Sequence, residues 1–131
     1  MLVVDASAFV DFLAPEVAEG AATVHLAGDS HWVVTEHFTI EVVQALRGLW
    51  LRKAIDTDRL DAALAALASA HLDVWPTLPL LPRIRELMPN VSAYDAAYVA
   101  LAEELQVPLL TADVRLARAP GARCAFVGTA V

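Results

Sequence analysis

The sequence predicts an α/β fold built on a parallel sheet of four to five strands with helices on both faces. Three observations predict it. Short apolar runs of strand length recur along the chain. Helical patterns lie between these runs. The first run, Leu2 to Val4, is apolar at every position rather than alternating, as in a strand covered on both faces. Strands that alternate with helices build βαβ units, whose helices cover the sheet from above and below.

The strand signals are Leu2 to Val4, Trp32 to Thr35, Leu72 to Trp75, Val107 to Thr111 and Cys124 to Val127. Ser7 to Ala14 and Val17 to Ala27 read as a first pair of helices, broken near Pro15. Phe38, Val42, Leu46 and Leu49 fall on one helical face. "TDRLDAALAALASA" reads as an Ala/Leu-rich helix capped by Thr57 or Asp58. "PLLPRIRELM" predicts a shorter helix starting near a proline. "SAYDAAYVALAEEL" begins with Ser92 and Asp95 in capping-box spacing. No repeat or linker divides the 131 residues, so one domain over 1–131 is expected.

Composition narrows the function. Apolar residues make up 58% of the chain and charged residues 19%, which suggests either a well-filled interior or an apolar surface patch used for association. No apolar stretch reaches the roughly 20 residues that span a bilayer. Asp5 and Asp11 interrupt the first apolar run, against a secretory leader. Cys124 has no second cysteine to pair with, which fits a reducing cytoplasm, and reads as a small buried hydrophobe. The net charge is −7, so the overall field does not attract nucleic acid. Any such binding needs a local site or bound cations.

In open α/β sheets, ligands bind beyond the carboxyl ends of the strands. Asp5 directly follows the first strand, and Asp113 follows "VPLLTA". Glu41 lies early in the helix after the second strand, and Asp95 in the first turn of the helix before "VPLLTAD". All four carboxylates can therefore converge on one edge. Converging carboxylates raise one another's pKa, and a hard divalent cation with oxygen ligands, Mg²⁺ or Mn²⁺, removes the conflict. Phosphoryl transfer is the chemistry such a site supports. The four His lack zinc-site spacing.

Each residue also has a plain structural role. Asp95 fits the third position of a capping box, Asp113 a turn, Glu41 a solvated face, Ser7 a helix cap and Thr111 a strand. Tyr94 and Tyr98 read as packing residues, and Trp32, Trp50 and Trp75 as core or interface groups. Asp5 resists such a reading, because an acid ending a doubly buried strand is costly unless compensated.

"VVDASAFVDFL", "EVVQALR", "YDAAYVALAEELQVPLLTAD" and "RLARA" together resemble the PIN-domain ribonucleases, specifically the VapC toxins of bacterial toxin–antitoxin pairs. The resemblance runs in order along essentially the whole chain and is weakest from Ile55 to Asn90. It implies a PIN-like three-layer α/β/α fold and Mg²⁺- or Mn²⁺-dependent endonucleolytic cleavage of RNA by a metal-activated water. The family's acids match Asp5, Glu41, Asp95 and Asp113; Asp5 and Asp95 would ligate metal directly, Glu41 and Asp113 through water or a second ion. Its hydroxyl positions match Ser7 and Thr111. It further implies a homodimer and a VapB-type antitoxin that neutralises the toxin. Gln44 departs from the pattern, which has Asn or another small polar residue one turn after Glu41.

Arg47, Arg52 and Lys53 follow Glu41, while Arg115, Arg118 and Arg123 follow Asp113, which suggests a local track for RNA phosphates. Other phosphotransfer enzymes on a similar sheet fit less well. A phosphatase with paired aspartates needs an acid where Ser7 stands, and a phospho-accepting receiver needs a Lys near Thr111. A non-catalytic module that only pairs with a partner has no need of four intact acids.

Overall fold

The computed structural model describes residues 1–17 and 21–129. Five strands form one sheet in the order β3-β2-β1-β4-β5, and every neighbouring pair is parallel. They are β1 (Leu2–Val4), β2 (Trp32–Thr35), β3 (Leu72–Trp75), β4 (Leu109–Leu110) and β5 (Phe126–Val127). The chain adds strands to one side of β1, then returns to β1's other side with β4. That reversal makes the gap between the carboxyl ends of β1 and β4 a topological switch point.

The helices explain the uniform apolarity of β1. α1 (Ala6–Leu13) packs on α2 (Ala21–Ala27), α3 (Phe38–Leu51) and α4 (Thr57–Ser69). α5 (Leu81–Leu87) packs on α6 (Ala93–Leu105), and α6 lies on β1, β2 and β4. Three layers result, and Val3 and Val4 are inaccessible on either side. α6 is the central helix. Ala96, Ala97, Tyr98, Val99, Ala100, Leu101 and Ala102 are all buried, and the alanines let it approach the sheet closely. Phe9 packs edge-on against Phe38 and Trp32, joining α1 to α3 and β2.

Several expected boundaries shift, each for a local reason. β4 is shorter than Val107 to Thr111, because Pro108 offers no N–H and serves the ladder only through its carbonyl, which accepts from Val3 N at 3.0 Å. α4 is capped by Asp56, not by Thr57 or Asp58: Asp56 is extended and its carboxylate accepts from Arg59 N at 2.7 Å. The helix expected over Val17 to Ala27 falls partly outside the described residues; Pro15–Val17 is a 3-10 turn and the helix runs Ala21–Ala27. A four-residue helix, α7 (Val114–Ala117), follows β4 where no periodicity announces it. Of the tryptophans only Trp32 joins the core; Trp50 and Trp75 are 39% and 36% exposed, Trp75 on edge strand β3. Cys124 is half-buried.

Gly128 ends β5 with φ +95°, a conformation that favours glycine. A Cβ there would lie 2.8 Å from Thr111 O and 2.6 Å from Leu110 Cδ1. Gly128→Ala is therefore expected to destabilise the fold by about 1–3 kcal/mol, measured by urea unfolding, because strain and overlap add.

Candidate active site

Asp5 leaves β1 with its amide still in the ladder, donating to Leu110 O at 3.1 Å. Its side chain then caps α1: Oδ1 accepts from Ala8 N at 2.9 Å and from Ser7 Oγ at 2.7 Å. Asp5, not Ser7, is thus the helix cap. Ser7 instead bridges two strand ends, since its oxygen also accepts from Ala112 N at 3.1 Å and lies 3.3 Å from Thr111 Oγ1. Thr111 Oγ1 accepts from Asp113 N at 3.0 Å. A ladder of hydroxyls therefore ties the end of β1 to the end of β4 across the switch point.

The other acids arrive from separate elements. Glu41 lies in the first turn of α3, Asp95 in the first turn of α6. Ser92 caps α6 by accepting from Asp95 N at 3.1 Å. Asp113 caps α7 through Oδ1, which accepts from Arg115 N at 2.9 Å and Leu116 N at 3.3 Å. Asp5, Glu41, Asp95 and Asp113 line one cleft of about 310 Å³ with Ala6, Ser7, Ala45 and Ser92. The small Ala6 and Ala45 side chains keep it open. The acids share the cleft without closing into a tight cage: among the described residues, no three His, Cys, Asp or Glu side chains form a ready-made metal cluster. Like charges stand apart.

Burial dominates the electrostatics of these acids, and their mutual repulsion adds a smaller push. Burial pushes the Asp5 carboxyl up from its ordinary 3.8 to about 6, against the pull of Thr111, Ala8 and Ser7, and Asp95 pushes it further. Burial also raises Glu41, opposed by the Tyr98 hydroxyl and assisted by Asp95. Asp95 is raised by burial and then by Asp113, with Ser92 and Arg115 pulling it down. The donor set is all oxygen and anionic, which matches a hard divalent cation. The residues fit such an ion.

The cations are unequal in their placement. Arg115 stands 3.9 Å from Asp113 Oδ1 with its side chain 96% exposed. Arg118, at the end of α7, is also exposed. Helical geometry puts Arg47 of α3 about 120° from Glu41, and Arg52, the residue that ends α3, within about 20° of it. Arg123 precedes β5, and its amide donates to Glu103 Oε2 at 2.7 Å near the far end of α6, so it leaves the expected track. Tyr98, expected only to pack, joins the site: its hydroxyl donates to Glu41 Oε1 at 2.9 Å. Its spacing from Asp95, three residues on a helix, is the signal that places both on one face.

A PIN domain family model matches residues 2–122. Ribonuclease VapC1 of Mycobacterium tuberculosis (strain H37Rv) is 42% identical over 123 residues, covering 93% of this chain and 92% of that protein. The chain belongs to the PIN-domain VapC ribonuclease family. Solved structures at lower identity share the fold. M. tuberculosis VapC20, described as a Sarcin-Ricin loop cleaving toxin, has a TM-score of 0.68 at 16% identity over 90% of this chain and 94% of that one. VapBC2 of Rickettsia felis, solved bound to a DNA fragment from its promoter, has a TM-score of 0.65 at 11% identity over 97% and 98%. No helix among the described residues is long and apolar enough to cross a membrane.

The raised Asp5 pKa makes folding pH-dependent in a defined sense. The folded chain holds that proton more tightly than the unfolded chain. Stability is therefore gained below the unfolded value of 3.8 and lost as pH climbs to about 6. Above that, the buried ion costs about 3 kcal/mol. Metal-free Asp5→Asn, which keeps a capping side chain, is expected to be more stable than wild type at pH 7.5 by up to that amount, with the gap closing below pH 4. Denaturant unfolding at the two pH values checks it.

Proposed function

We propose that this chain is the toxin of a VapBC-type pair, an endoribonuclease that depends on Mg²⁺ or Mn²⁺. The observation that carries the reading is the cleft itself: four carboxylates from four separated segments share it, three of them with raised pKa. Asp5 and Asp95 would hold the ion directly, and Glu41 and Asp113 through water or a second ion. Once bound, the cation supplies Lewis acidity at a phosphodiester oxygen and a more acidic attacking water. The chain's own groups prepare that chemistry. Ala8 N, Ser7 and Thr111 fix the Asp5 carboxylate on a rigid strand end, and Ser92 fixes the start of α6 beneath Asp95. Ala6 and Ala45 leave room for a nucleic-acid backbone beside the acids.

Against a net charge of −7, RNA needs a local anchor. Arg115 and Arg118 form it beside Asp113, with Arg52 favoured over Arg47 by its place on the Glu41 face. Inhibition by a cognate VapB-type antitoxin and assembly as a homodimer complete the reading, and exposed Ile40, Leu78 and Leu81 offer apolar surface for such contacts.

Purified wild-type protein is expected to cut RNA with Mg²⁺ or Mn²⁺ and to stop on chelation. Asp5→Asn, folded by circular dichroism, should lose at least about a hundredfold in rate, since the metal supplies several kcal/mol at the transition state. Cleavage that survives chelation or Asp5→Asn contradicts the proposal. Arg115→Ala and Arg118→Ala should each weaken RNA binding and lower the salt slope of log K by about 0.7, measured by filter binding across salt concentrations.

A further inference from the structure

We infer that Tyr98 is a positioning residue for Glu41: its hydroxyl holds the Glu41 carboxylate in the cleft and so sets the cleft's affinity for a divalent cation. The inference rests on the reading of the cleft as a cation site. Tyr98 is wholly buried in α6, where phenylalanine would fill the same space. The hydroxyl is therefore surplus to packing. It donates to Glu41 Oε1 at 2.9 Å, across a separation of 57 residues. Glu41 is half-buried on a side chain with three rotatable bonds, and nothing in α3 alone fixes where its carboxylate points. The phenol supplies that constraint from the helix that carries Asp95.

The ring is itself held in place. His37, the residue before α3, lies with its ring 4.8 Å from that of Tyr98 and 5.4 Å from that of Tyr94. The His37 carbonyl accepts from Glu41 N at 3.1 Å. The aromatic contact thus pins the start of α3 to the start of α6, and the phenol acts across that fixed junction. Partners that orient metal-binding side chains typically change metal affinity by about 10- to 100-fold when removed.

Tyr98→Phe deletes the hydroxyl and keeps the ring. Calorimetric titration of metal-free protein with Mn²⁺ is expected to show affinity weakened by about 10- to 100-fold. The KM for RNA should be unchanged, and kcat should be low at limiting Mn²⁺ and recover at saturating Mn²⁺. In a Glu41→Ala background, which leaves the phenol no carboxylate to hold, Tyr98→Phe should cost nothing further, because the two groups act as one unit. Wild-type Mn²⁺ affinity in Tyr98→Phe, an equal loss in the Glu41→Ala background, or failure of Tyr98→Phe to fold overturns the assignment and leaves the cation reading standing. Absence of Mn²⁺ binding by the wild type overturns that reading, and the assignment with it.

Discussion

Everything at the site depends on one constraint: a carboxylate is fixed where a doubly buried strand ends. Val3 and Val4 are sealed on both faces, and Asp5 follows them with 2% of its surface exposed. The acid survives there because its oxygen has a local task. It caps α1 and accepts from the Ser7 hydroxyl. Those donors stabilise the ion, yet burial outweighs them and the carboxyl remains raised. The position is therefore rigid and electrostatically unsatisfied at once. That combination suits a cation ligand and serves a purely structural cap poorly.

The neighbouring acids extend the same logic. Each is presented by a helix start: Glu41 in the first turn of α3, Asp95 in that of α6, Asp113 as the cap of α7. Helix N-termini favour negative charge, which offsets part of the repulsion. The hydroxyl ladder through Ser7 and Thr111 fixes the distance between the β1 and β4 ends, and the Tyr98 phenol ties α3 to α6. The cleft is held by backbone elements and short bonds rather than by contacts among the acids themselves, so its shape does not require the carboxylates to attract one another.

The fold was legible where the sequence carries local periodicity. Leu2 to Val4 revealed a doubly covered strand, and Phe38, Val42, Leu46 and Leu49 a helical stripe, all found buried. The positions of the four acids followed from the strand-end rule, and they do line one cleft. What was hidden depended on long-range closure. Ser7 looked like a cap from its neighbours alone, and its bonds to residues more than a hundred positions away exist only once β4 lies beside β1. Tyr98 looked like packing because its partner is on another helix. α7 is too short for any period to show, and the exposure of Trp50 and Trp75 depends on which strand lies at the sheet edge. Arg47 and Arg52 separate only when the helical angle from Glu41 is followed through three turns.

The central claim is that the four carboxylates form a site for a hard divalent cation. A ¹³C NMR titration of the Asp5 side-chain carboxyl, with and without Mg²⁺, tests it most directly. The expected midpoint lies near pH 6 in metal-free protein and is displaced to lower pH as Mg²⁺ is added. A midpoint that Mg²⁺ leaves unmoved would contradict it.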